Sequence, residues 1–130
     1  MGVLWIGSKG EMMSKGAWVF LVILIGVLIF KFATGKRSPE QVNSMQEAVS
    51  SGGLLLDVRS TREFSSHHLE GAVNIPVSEL GSRLDELGDK ERSIVVYCAS
   101  GARSKAASKL LGEKGFTRVQ DLGSWRNWGQ

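Results

Sequence analysis

Fourteen consecutive residues, Ala17 to Phe30 (AWVFLVILIGVLIF), carry no charged or strongly polar side chain. Such a run must be covered by lipid or by a large protein core. Extension through Lys31, Phe32 and Ala33 gives 17 residues, the lower edge of the roughly 17–25 that cross a hydrocarbon core. Lys31 can snorkel to one interface and Trp18 suits the other. A core helix that is apolar all round needs neighbours over its full circumference, and the chain offers no other long helix to supply them. A cleaved signal peptide has the same basic start and apolar stretch. Cleavage after Ala33, however, would put Lys31 where a small residue is wanted, and cleavage after Gly35 is the better variant of that reading. The expectation is a single uncleaved transmembrane helix over residues 17–33, behind an N-terminal tail of residues 1–16.

The formal charge of +3 belongs to the flanks of this run. Residues 1–37 hold five Lys/Arg and one Glu, whereas residues 38–130 hold eleven Lys/Arg and twelve Asp/Glu, a net of −1. Lys9 and Lys15 before the span, and Lys31, Lys36 and Arg37 after it, can meet anionic membrane lipid. The excess of one cation after the span puts the folded part on the cytoplasmic side by the positive-inside tendency. Met12 and Met13 offer later start positions. The folded part shows no basic stripe, which argues against nucleic acid as a partner. About 90 residues remain for it, enough for one domain with a modest core and no help from metals or disulfides. Cys98 is the only cysteine, so neither an internal disulfide nor a CxxC zinc site can form.

Beyond the run, Ser38-Pro39-Glu40-Gln41 reads as a helix start, with Ser as N-cap, Pro at N1 and Gln at N3. Val42, Met45, Ala48 and Val49 then share one helical face, and Ser51-Gly52-Gly53 ends the helix. Residues 34–53 are therefore linker and first helix, and residues 54–130 the domain core. Leu54 to Val58 reads as a buried strand. Ser60 and Glu63 form a second capping box, and Gly71 to Pro76 reads as a strand ended by Pro76. Ser78 is placed to cap a helix turning Leu80, Leu84 and Leu87 inward. Ile94 to Tyr97 is a β-branched, uninterrupted strand that runs into Cys98. A helix beginning near Ser104 buries Ala107, Leu110 and Leu111 and ends at Gly115. Phe116 to Leu122 supplies a further strand. Strands alternating with helices predict an α/β fold with a central parallel sheet.

Cys98 lies at the carboxyl end of its strand, where open parallel sheets bind ligands. The residues that follow, Ala99, Ser100, Gly101 and Ala102, are small. Such a loop can curl so that several backbone N–H groups point at one spot, and the next helix adds its positive end. A thiolate held that way has a lowered pKa and is nucleophilic near neutral pH. Arg103 supplies a permanent cation that can hold an anionic sulfur donor by two parallel hydrogen bonds. A cysteine at a strand end is otherwise a common buried packing residue. The small-residue loop, Arg103 and the helix start turn the reading toward chemistry.

The run from Cys98 to Ser104 (CASGARS) resembles the C-x-x-G-x-R-S active loop of single-domain rhodaneses. Asp57-Val58-Arg59, Glu63-Phe64, the stretch His68 to Pro76 (HLEGAVNIP), and Asp121 to Trp125 (DLGSW) with Trp128 occur in that family's order, and together they cover residues 54–128. The resemblance implies a central parallel sheet flanked by helices and sulfane-sulfur transfer through a persulfide on Cys98. It also implies a substrate cradle of Ala99, Ser100, Gly101, Ala102, Arg103 and Ser104, with no metal or organic cofactor. The related phosphatases have a loop one residue longer and usually a His before the Cys, where this chain has Tyr97. Two positions depart from the pattern: His67 stands where the family usually has Gly, and Gly123-Ser124 replaces a Gly-Gly. His68 matches a position that ties down a scaffold turn. Asp57 and Arg59 look like a buried ion pair or loop-fixing contacts, and Trp125 and Trp128 like packing residues.

The expected activity is a two-step sulfurtransferase. It takes sulfur from thiosulfate or a small-molecule or protein persulfide and passes it to a thiol or other thiophilic acceptor. With no second cysteine, the acceptor must come from outside the chain. The rival readings are a membrane-tethered interaction module with a membrane-protein partner, and a thiol redox sensor.

Overall fold

The structure, a computed structural model, describes residues 15–33 and 36–129, without the side chains of 30–33. The tail with Lys9, Met12 and Met13, the side chain of Lys31 and the segment at Thr34 and Gly35 lie outside the described residues. The chain divides into two units, Met1–Thr34 and Gly35–Gln130.

In the first unit, helix α1 runs over Lys15–Ala33. Its large apolar side chains from Trp18 to Ile29 are exposed. Among the described residues no helix is long and apolar enough to cross a membrane. The transmembrane helix expected over 17–33 therefore finds no support in the described residues.

In the second unit, α2 (Pro39–Ser50) starts as its sequence dictates. The Ser38 hydroxyl accepts from Gln41 N–H at 3.3 Å and the Gln41 side chain accepts from Ser38 N–H at 3.0 Å. The strands are β1 (Leu54–Asp57), β2 (Val73–Asn74), β3 (Ile94–Cys98) and β4 (Val119–Ser124), all parallel, in the order β2-β1-β3-β4. Successive strand residues point to opposite faces, and the core divides accordingly. Leu54, Leu56, Ile94, Val96 and Cys98 pack with Leu80, Leu87, Ala107 and Leu111 on one face. Leu55, Val95, Tyr97 and Leu122 pack with Val42 and Met45 of α2 on the other, where Trp125 and Trp128 also lie. Helices on both faces leave the carboxyl ends of the strands open for a site, and Cys98 stands at that end of a central strand.

Three elements differ from the sequence expectation. The strand expected over Gly71–Pro76 is paired only at Val73 and Asn74. Ala72 N–H is still bonded to Leu69 C=O in the preceding turn, and Pro76 already accepts from Glu79 N–H and Leu80 N–H. The helix expected to begin at Ser78 is instead one turn, α4 (Val77–Leu80), followed by a separate 3-10 turn over Leu84–Leu87. Gly81 follows the last residue of α4, and the Ser82 hydroxyl bonds back to Glu79 C=O. Leu80 and Leu87 still reach the core. The last strand begins later than Phe116, because Phe116 N–H is held by Leu111 C=O and Thr117 N–H by Lys90 C=O. It then runs to Ser124 through a register shift that sets Tyr97 beside Gly123 and Cys98 beside Ser124.

Candidate functional site

Cys98 is the last residue of β3 and has no exposed surface. Helix α5 (Ala102–Glu113) follows after three residues and starts two residues before the expected Ser104, with Gly101 as its N-cap. Gly101 has φ +106, a left-handed conformation that a side chain disfavours, and it turns its N–H back to Cys98 Sγ at 2.9 Å. A Cβ on Gly101 would also come within 3.6 Å of Gly123 Cα. The loop therefore folds over the end of β4. Ser104 is buried, and its hydroxyl donates to Gly101 C=O at 3.0 Å.

Two influences oppose each other on the sulfur. Burial pushes the thiol pKa up, the largest single effect, but the Ser104 hydroxyl and the N–H groups of Ser104, Gly101 and Ser100 together outweigh it and hold the thiol below its ordinary value. The Ser104 hydroxyl has one proton, which can serve either Gly101 C=O or the sulfur. Of the residues expected to form the cradle, Ser100, Gly101 and Ser104 are the ones whose N–H or hydroxyl groups act on the sulfur.

Arg103 stands in the first turn of α5, and its guanidinium is already engaged. Its two terminal nitrogens donate to Glu63 Oε2 at 2.7 Å and Oε1 at 3.0 Å. Glu63 belongs to α3 (Thr61–Ser66) and closes the second capping box, where it also accepts from Ser60 N–H at 3.0 Å and the Ser60 hydroxyl at 2.9 Å. Arg103 and the Ser60 contacts hold its carboxyl down to about 2. The sequence assigned Glu63 to the cap alone. No local signal could join it to a residue 40 positions away.

A buried polar network sits at the carboxyl end of β1. Arg59 donates through Nε and a terminal nitrogen to Asp57 at 2.7–3.1 Å and through that nitrogen to His67 C=O at 2.6 Å. Its guanidinium carbon lies 5.6 Å from the Tyr97 ring centroid. Asp57 and Arg59 form the buried ion pair expected from the sequence. His67 takes an extended backbone (φ −167), so this position makes no demand for glycine. Its ring tilts against Trp125 at 4.9 Å. Gly123, with φ +78, is the residue beside Gly101, and Ser124 in the other departing position disturbs nothing there. The His68 ring stacks on Phe64 at 3.9 Å, and its Nδ1–H donates to Phe64 C=O at 2.8 Å. Among the described residues no group of three His, Cys, Asp or Glu side chains comes together that could hold a metal ion.

Residues 38–130 match the family model described as Rhodanese-like domain. Thiosulfate sulfurtransferase PspE of Escherichia coli K12 is 34% identical over 73 residues, which is 55% of this chain and 70% of that protein. The uncharacterized protein YqhL of Bacillus subtilis 168 is 29% identical over 116 residues, 85% of this chain and 91% of its own length. Among solved structures, the human single-domain sulfurtransferase TSTD1 matches with a TM-score of 0.61 at 30% identity, covering 74% of this chain and 96% of that one.

Proposed function

The chain belongs to the rhodanese-like domain family, and we propose that it is a sulfurtransferase carrying sulfane sulfur on Cys98. The observation that carries this reading is the Gly101 N–H set 2.9 Å from Cys98 Sγ at the start of α5. A thiolate so held attacks the outer sulfur of thiosulfate or of a persulfide. A new S–S bond forms, the donor's S–S bond breaks, and sulfite or a thiol leaves with the electron pair. The N–H groups of the cradle then face the anionic outer sulfur of the Cys98 persulfide. A cyanide ion or an external thiolate attacks that sulfur, and Cys98 departs as the thiolate it began as. Intact-mass measurement of the full chain tests this directly. Treatment with thiosulfate or an alkyl persulfide should add the mass of one sulfur atom, and cyanide should remove it. No gain from either donor would overturn the reading.

We propose further that the segment before Ser38 anchors the domain to a membrane, with the domain on the cytoplasmic side and its sulfur partners at or near the bilayer. The support is the uncharged stretch from Ala17 to Phe30, its flanking cations, and the exposure of the apolar side chains from Trp18 to Ile29. The alignment with YqhL is longer than residues 38–130, so it reaches into this segment. Carbonate-washed membranes should retain the full chain, a chain starting at Ser38 should be soluble and active, and protease outside intact spheroplasts should leave the domain uncut. Release by carbonate, or a mature N-terminus near Thr34, would overturn the anchor; external cleavage would reverse the orientation.

A further inference from the structure

We propose that Glu63 tunes the site toward sulfur donors of low net charge, organic persulfides ahead of dianionic thiosulfate, a reading that rests on sulfur transfer at Cys98. Arg103 is the one cation within the loop sequence Cys98–Ser104, and its charge is matched by a carboxylate on both terminal nitrogens. That carboxylate is fixed by Ser60 N–H and hydroxyl and stays ionised down to about pH 2. The Arg103–Glu63 pair therefore contributes no net positive charge beside a sulfur that must itself ionise to react. A doubly charged donor meets the thiolate and the Glu63 carboxylate with twice the repulsion met by a singly charged one. The attraction of Arg103 is offset by its partner, and two of its five N–H donors are occupied.

The geometry also allows a clean test of charge. Gln serves the N3 place of a capping box as Glu does, and its carbonyl oxygen still accepts from Arg103. Glu63→Gln thus removes the charge while keeping the cap and a hydrogen bond. Loading of Cys98 is to be followed with thiosulfate and with an alkyl persulfide, in the full chain and in Glu63→Gln. The ratio of kcat/KM for thiosulfate to that for the persulfide should rise about tenfold or more in the variant. A residue that only orients Arg103 would give a fall in thiosulfate use and no gain. The unmodified chain supplies a second measurement: added salt screens repulsion, so its thiosulfate-to-persulfide ratio should climb with ionic strength. A ratio that is unchanged or lower in Glu63→Gln, or that falls with salt, overturns the role of Glu63 and leaves sulfur transfer standing. If neither donor loads the unmodified chain, sulfur transfer and the role of Glu63 fall together.

Discussion

Cys98→Ser should reduce sulfur loading and transfer by at least about three orders of magnitude, the scale seen when a lone nucleophile is removed, with the domain still folded. Serine is close in shape to cysteine and offers an oxygen to the same Gly101 N–H. Its hydroxyl stays protonated near neutral pH and does not attack sulfur. Cys98 is the only thiol in the chain, so no second group can take over. The pH dependence of the unmodified chain adds a check. The Ser104 hydroxyl and the N–H groups of Ser104, Gly101 and Ser100 outweigh the upward push of burial on the thiol. Activity should therefore rise with pH along the thiolate fraction and level off below the range of an ordinary cysteine. The measurement is thiosulfate-dependent transfer to cyanide, run beside thermal unfolding of both chains. Transfer above a few per cent in a folded Cys98→Ser chain would remove Cys98 from the mechanism.

The parts of this site that were legible in the sequence are those set by local physics. Ile94 to Tyr97 form a strand because β-branched residues suit a buried central position, and all are buried. The turn after Cys98 follows from small residues with a glycine where φ is positive. Both capping boxes formed as written. The less legible parts depend on competition between distant groups. The strand at Val73–Asn74 starts no earlier because Ala72 N–H is held in the preceding turn, and beyond Asn74 only single bonds from Ile75 N–H to Asp57 C=O and from Val77 N–H to Val58 C=O continue along the edge. The helix expected from Ser78 stops after α4 at Gly81, yet Leu80 and Leu87 are buried and Leu84 packs against the same core from the separate 3-10 turn. Glu63 meets Arg103 only because α3 and α5 both follow strands at the same end of the sheet. The Arg103 fork, read from the sequence as able to hold an anionic donor, holds the Glu63 carboxylate in this structure.

The buried Asp57–Arg59 pair should carry a large stability effect. Asp57 is fully buried and Arg59 is 5% exposed. The Asp57 carboxylate accepts from Arg59 N–H at 2.8 Å and from the guanidinium at three further contacts. The Asn74 side chain ties the backbone on both sides of the pair, donating to Asp57 C=O at 3.0 Å and Arg59 C=O at 2.9 Å. Asp57→Ala leaves a buried guanidinium held by His67 C=O and set over the Tyr97 ring. Removing one partner of a buried pair costs about 3–5 kcal/mol, against a domain stability on the order of 5–15 kcal/mol. Urea unfolding should show that loss as a lower midpoint with an unchanged slope. Adding Arg59→Met should recover a good part of it, because an apolar side chain of similar length removes the stranded charge. A loss below about 1 kcal/mol, the size of an exposed ion pair, would mean that the guanidinium reaches water once Asp57 is gone. In that case the pair is not what holds the end of β1 in place.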